Sequence, residues 1–161
     1  MEERRKIKLN YLKGNIISTW LPNAVANGAV YYFLNRNSNK SIIGFWIGGI
    51  ITAFILAFIC AGCSMAPLDK KIKDQVIPKD LFKRDNSIFA RFMPSQTYLQ
   101  LLYIAMIVTV VFTVVSGILP LACGYYNRSI PVIAGTILHS IQCGFMGLLT
   151  VYLLLIARCL K

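Results

Sequence analysis

Carboxylates are scarce in this chain. Six Asp and Glu stand against 17 Lys and Arg in 161 residues, and the acids lie at 2, 3, 69, 74, 80 and 85. None falls inside an apolar run, which argues against a proton or cation pump built on a buried acidic relay. Charged residues make up only 14% of the sequence, well below the roughly one quarter of ordinary soluble domains. Paired acids and a Ser/His/Asp grouping are missing, so hydrolytic chemistry has no starting point. Zinc-finger spacing, a glycine-rich phosphate loop and interleaved basic and aromatic patches are missing as well. The net charge of +11 is therefore read as attraction to anionic lipid headgroups and not to nucleic acid. The strict alternation of a membrane barrel is also absent.

What is present is apolar sequence. Hydrophobic residues make up 57% of the chain, and stretches 14–35, 41–68, 92–127 and 129–157 carry no charge. Each can hold the roughly 20 residues that cross a bilayer as a helix. Lipid offers no hydrogen-bond partner to an open backbone, so these segments must be helical. The expectation is an all-α polytopic membrane protein of one domain, 1–161, with spans at 16–34, 42–65, 98–122 and 131–157 packed as two hairpins. The first run resembles the core of a signal peptide, but it is long and lacks a clear small-x-small exit, so it is read as a retained span.

Orientation follows from the basic residues. Arg4, Arg5, Lys6, Lys8 and Lys13 precede the first span, Lys70, Lys71, Lys73, Lys79, Lys83, Arg84 and Arg91 lie in the middle segment, and Arg158 and Lys161 close the chain. Arg36, Lys40 and Arg128 lie in the other two connections. Both termini are thus expected in the cytoplasm, and the short loops and Ile/Lys/Asn-rich composition suggest a bacterial plasma membrane. The segment 67–97 reads as a cytoplasmic interfacial piece. Two amphipathic helices, 69–77 and 79–92, would lay their apolar faces into the headgroup region.

The halves look related. Leu21-Pro22-x-Ala24, Gly28, Tyr31-Tyr32 and Asn35-Arg36 find an echo in Leu119-Pro120-x-Ala122, Gly124, Tyr125-Tyr126 and Asn127-Arg128, with different gaps. Repeats 16–66 and 98–157 would enter from the same side and be parallel, related about the membrane normal. Trp46, Ala57-Phe58 and the exit Ala66-Pro67-Leu68 followed by basic residues are similar to the second helix of an uncharacterised family of small bacterial two-helix membrane domains. The resemblance covers residues 16–75 and implies no activity. Span 4 departs from it, ending Leu155-Ile156-Ala157-Arg158 without a Pro-Leu exit.

Polar and small residues inside the spans are the candidate functional positions. Thr19, Asn23, Asn27 and Tyr31 recur at steps of four and share a helix face. Pro22, beside them, removes an amide and loosens the turn above Ser18. Gly44, Gly48, Gly49, Ala53, Ala57 and Ala61 form a small-residue ridge on which another helix could close. His139 and Gln142 are strong hydrogen-bonding groups in span 4, and His139 titrates near neutral pH. One His and one Cys do not make a metal site, so no metal or cofactor is implied. Cys60 and Cys63 form a CxxC at a helix C-terminal end, where the dipole disfavours a thiolate.

Three function classes fit. The first is a unit acting through helix packing, as a homo-oligomer or a partner's subunit in the lipid bilayer. The second is a small transporter or channel whose path is lined by Asn23, Asn27 and His139, which would converge near mid-membrane. The third is a membrane thiol or lipid enzyme. No reaction is assigned by the residues.

Overall fold

The computed structural model describes residues 2–82, 91–122, 124 and 128–160, without the side chains of 118–121. The architecture is all-helical. The order is α1 (Glu2–Asn15), a π-helical turn (Ile16–Trp20), α2 (Leu21–Asn35), β1 (Lys40–Ser41), α3 (Ile42–Lys73), α4 (Thr97–Ala122), β2 (Ser129–Ile130) and α5 (Val132–Arg158). Three helical segments, Ile42–Lys73, Thr97–Gly117 and Val132–Arg158, are long and apolar enough to cross a membrane.

The expected first span, 16–34, is not one unbroken α-helix. Pro22 has no N–H to give to the carbonyl of Ser18. The ladder slips by one residue, and the Leu21 N–H donates to the Ile16 carbonyl instead. A polar helix, α1, precedes this π-turn, and the apolar α2 of 15 residues follows it.

The middle segment also differs from expectation. Helix α3 does not stop at Pro67 but runs on to Lys73, 32 residues in all, or about 48 Å. Residues 69–73 therefore belong to α3. The helix ends where Gln75 takes a left-handed backbone (φ 59°). Residues 74–77 and 79–82 are turns, and 83–90 lie outside the described residues. Val76 and Phe92 are exposed, but other apolar side chains of this piece turn inward. Ile77, Leu81 and Phe82 are buried in the main core with Leu68, Ile72 and Leu155. Phe82 meets Tyr152 edge-on at 6.2 Å, and the Lys8 ammonium of α1 stands 3.8 Å above its ring.

Helix pairing is not that of two sequential hairpins. The extensive contacts are α2 with α5 and α3 with α4, and α5 also packs on α3 and α4. Helices α2 and α3, adjacent in sequence, scarcely touch. Glycines explain the choice. A Cβ on Gly28 would fall on the Ser140 hydroxyl, and one on Gly135, Gly144 or Gly147 would meet Tyr31, Trp20 or Asn23 within 2.8 Å. The α2–α5 crossing therefore leaves no room for a side chain at these glycines. On the other side, Phe112 and Trp46 fill the spaces over Gly49 and Gly117. Gly49, Ala53, Ala57 and Ala61 are buried, whereas Gly44 and Gly48 are exposed.

The outer surface of the bundle is apolar. Ile43, Ile47, Ile51, Ile55 and Ile59 form an exposed ridge at four-residue spacing on α3, opposite its small-residue face. Exposed Val110, Val114, Val115, Ile133, Ile137 and Phe145 continue it on α4 and α5. So much apolar surface suits lipid and not water. Both ends of the chain and the 69–82 segment gather at one end of the bundle, where Arg4 pairs with Asp80 at 2.7 Å. The other end carries β1 and β2, joined antiparallel with Lys40 opposite Ile130 and Ser41 opposite Ser129.

Candidate functional site

Because α2 and α3 stand apart, a cleft of about 250 Å³ opens between them at the β1–β2 end. It is lined by Asn27, Tyr31, Asn35, Lys40, Phe45, Thr52 and His139, among others. The three aromatic rings close one wall. Tyr31 and His139 stack at 4.9 Å and 31°, Tyr31 and Phe45 meet edge-on at 5.5 Å, and Phe45 and His139 lie 6.0 Å apart. His139 is buried, and its Nε2 lies 3.5 Å from the Cys143 sulfur. Gly44 and Gly48 leave the opposite wall without side chains, which is why room remains.

The amides hold themselves in place. Asn27 Nδ2 donates to the Asn23 carbonyl at 2.9 Å, and Asn35 Nδ2 donates to the Tyr31 carbonyl at 2.7 Å. Each spends one N–H on the turn below and keeps its Oδ1 for another partner. Thr52 likewise donates to the Gly48 carbonyl at 2.9 Å. Lys40 is positioned over the mouth by the β1–β2 bridge, and Ser41 caps α3 by accepting the Gly44 N–H at 3.1 Å.

The expected convergence of Asn23, Asn27 and His139 is half present. Asn27 and His139 share the cleft, but Asn23 does not enter it. Its Nδ2 donates to the Thr19 carbonyl at 2.8 Å and lies 3.3 Å from the Cys60 sulfur, against Gly147. Residues at steps of four drift about 40° per step around a helix, so the stripe winds from the α3–α5 contact into the cleft. Thr19 is buried below, its hydroxyl donating to Asn15 Oδ1 at 3.0 Å. Gln142 points elsewhere, into an apolar groove between α4 and α5, where its Oε1 is buried without a hydrogen-bond partner among the described residues.

The CxxC cysteines occupy different surroundings. Cys60 is buried against Asn23, while Cys63 is exposed. Cys123 lies outside the described residues. Among the described residues no three His, Cys, Asp or Glu side chains come close enough to hold a metal ion.

One cluster was not anticipated from the sequence. At the terminus-bearing end, Arg158 donates from Nε to Asp69 Oδ1 at 2.7 Å and from Nη2 to the other carboxylate oxygen, a two-pronged pair across 89 residues. Arg158 Nη1 also reaches Gln100 Oε1 at 3.5 Å, and the fully buried Gln100 donates to the Pro94 carbonyl at 2.9 Å. This network ties α3, α4 and α5 together, and Asp69 and Arg158 also line an open cavity of about 1210 Å³ with Lys73, Lys79 and Asp80. Beside it, burial pushes the Tyr11 phenol up to about 12 and the Cys159 thiol up to about 11, so both stay protonated at neutral pH.

The residues that shape the cleft without being singled out in advance are Phe45, Thr52, Asn35 and Lys40. Their signal was weak, since each is a common residue type near a span end. The arrangement can hold a small ligand by stacking and a few hydrogen bonds. The thiol beside His139, Cys143, is fully buried and does not line the cleft. No protein-family model, curated protein sequence or solved structure matches this chain.

Proposed function

We propose that this chain spans a bacterial plasma membrane four times with both termini in the cytoplasm, and that it serves as a small solute-binding or permeation unit. The observation that carries the reading is the cleft that Asn27 and His139 share, with Lys40 of β1 in its lining. Polar groups in an apolar bundle are costly unless they are partnered or face a water-filled or ligand-filled space. The fourth span is the continuous helical path 16–35. Twenty residues rise roughly 30 Å, the thickness of the hydrocarbon layer. The π-turn is tolerated there because the ladder merely shifts its partner.

Two parallel repeats, 16–66 and 98–157, suit the same reading. Exchanging α2 with α4 and α3 with α5 turns the α2–α5 contact into the α4–α3 contact and leaves α3–α5 in place. The same exchange preserves the β1–β2 pairing, since Lys40 opposite Ile130 becomes Ser129 opposite Ser41. The Leu-Pro pairs do not follow this exchange in depth, because Leu21 opens α2 whereas Leu119 lies near the end of α4.

The test is water access to Thr52. In a chain carrying Cys63→Ser and Cys123→Ser, Thr52→Cys should react with a membrane-impermeant maleimide added to intact cells. It should be shielded when reagent reaches only the cytoplasmic face. Labelling from the cytoplasmic face alone, or from neither, would remove the cleft reading.

Assembly with a second copy is the other reading. A groove of about 400 Å³ between α4 and α5 is lined by Val111, Val115, Leu138, Ile141 and Phe145, with the unpartnered Gln142 Oε1 within it. A donor from a neighbouring helix would complete that acceptor. Phe145→Cys, on this reading, forms a disulfide-linked dimer under mild oxidation in the membrane. Monomer alone under the same conditions argues that the groove faces lipid.

A further inference from the structure

We infer that the cleft between α2 and α3 takes a small organic anion, an aromatic carboxylate or phosphate monoester, with its charged group at Lys40 and its ring against Tyr31 and Phe45. The inference rests on the cleft reading above and names the ligand class.

Sign of charge decides between ligand classes here. An aromatic wall by itself would suit a cation as well as a neutral ring. Lys40 stands at the mouth with no ion pair or hydrogen bond to its ammonium among the described residues. Arg36 follows α2 directly and is exposed. No Asp or Glu occurs between 4 and 68 or between 86 and 161. The β1–β2 end is therefore basic and, among the described residues, holds no carboxylate to neutralise it. A cation entering there meets repulsion that only the aromatic faces oppose, with no carboxylate among the described residues to pair it, whereas an anion meets a free ammonium. The helix ends do not reverse this. α3 presents its positive N-terminal end to the cleft and α2 its negative C-terminal end, so the two offset each other and the side-chain charge sets the sign.

Size and polarity narrow the class. A volume of about 250 Å³ falls just under the range of drug-sized sites and suits one substituted ring. Tyr31 and Phe45, edge-on at 5.5 Å, offer a ring a face and an edge together. Deeper in, Asn27 Oδ1 and the Thr52 hydroxyl remain able to accept. A hydroxyl or amine substituent on the far side of the ligand would find its partner there.

The test uses the full chain in nanodiscs of zwitterionic lipid at fixed ionic strength. Benzoate, phenyl phosphate, benzyl alcohol and benzylamine are titrated by calorimetry. Benzoate and phenyl phosphate should bind and benzylamine should not. Lys40→Gln should weaken the anions about tenfold, the worth of one charge-assisted contact, and Lys40→Arg should largely restore them. Gly48→Phe, which fills the cleft from an exposed position, should abolish binding of all ring compounds. Benzylamine binding as tightly as benzoate, or anion affinity unchanged in Lys40→Gln, overturns the anion assignment. Binding of benzyl alcohol that Gly48→Phe removes, without charge preference, would leave the cleft reading standing while the anion class falls. Anion binding that survives Gly48→Phe places the anion elsewhere and removes both. Loss of benzoate binding on adding phosphatidylglycerol would assign the phosphate site to a lipid headgroup and overturn the free-solute assignment.

Discussion

Gly28→Leu should detach α2 from the bundle. A Cβ at this position already lies 1.9 Å from the Ser140 hydroxyl and 3.1 Å from its Cβ. Rotating the serine could accommodate one carbon, but not an isobutyl group, because the Ser140 Cα would stand only 3.8 Å from its first carbon. α2 has no other extensive helix partner to hold it, since its packing is on α5. Overpacking of this kind costs about 1–3 kcal/mol where neighbours can yield, and a glycine crossing lies at or beyond the top of that range because backbone must move. The melting temperature in detergent should fall markedly, and protease sites in 36–39 should open. Gly62→Leu is the control, because nothing lies within 4 Å of a Cβ there, and it should be nearly silent. An unchanged melting temperature for Gly28→Leu would mean that α2 does not cross α5 closely.

The second large effect is expected at the Asp69–Arg158 pair. Arg158→Leu leaves the Asp69 carboxylate and the fully buried Gln100 amide oxygen short of their donor. Asp69→Leu leaves a guanidinium side chain that is only 24% exposed without its counter-charge. Breaking a fully buried pair from one side costs about 3–5 kcal/mol. Asp69 is 39% exposed, and solvent screening reduces the figure to about 1–3 kcal/mol. The double variant should recover much of the loss, because no charge is then stranded. A double-mutant cycle in chemical denaturation, supported by thermal melts, measures the coupling. Strict additivity of the two single effects would show that the pair contributes nothing.

The polar stripe on the first apolar run was legible as far as local geometry carries. Steps of four put Thr19, Asn23, Asn27 and Tyr31 near one face, and Pro22 announced a loosened turn that appears as the π-helical Ile16–Trp20. The cumulative drift of that stripe was not legible. Asn23 turns to Cys60 while Asn27 turns to the cleft, and the choice depends on where α3 and α5 stand. On α3 the structure buries Ala53, Ala57 and Ala61 fully. Gly44 and Gly48 carry the same small-residue signal yet line open space. Small residues permit close approach but do not specify which helix arrives. The tightest crossing uses Gly28, Gly135, Gly144 and Gly147. These had no regular spacing to mark them, since they serve a contact between the first and last apolar runs.

The middle segment illustrates the same limit. Its apolar residues suggested helices lying on a surface, because periodicity reports that a face is apolar without reporting what covers it. The covering is supplied by α1 and the end of α5. Phe82 sits between Lys8 and Tyr152, partners far from it in the chain.

By itself, then, the sequence determined where the chain is apolar, where its charges collect, and where the backbone ladder must break at Pro22. These are local properties. They follow from transfer free energies and the hydrogen-bonding capacity of single residues, which act before any helix meets another. Tertiary structure alone decided that α2 would pack on α5 and leave a cleft beside α3, that His139 would face Tyr31 and Phe45, and that Asp69 would find Arg158 across 89 residues. Those outcomes depend on shape complementarity between helices brought together from distant parts of the chain. Many small-residue faces are compatible with contact, and only close packing of the whole bundle selects among them.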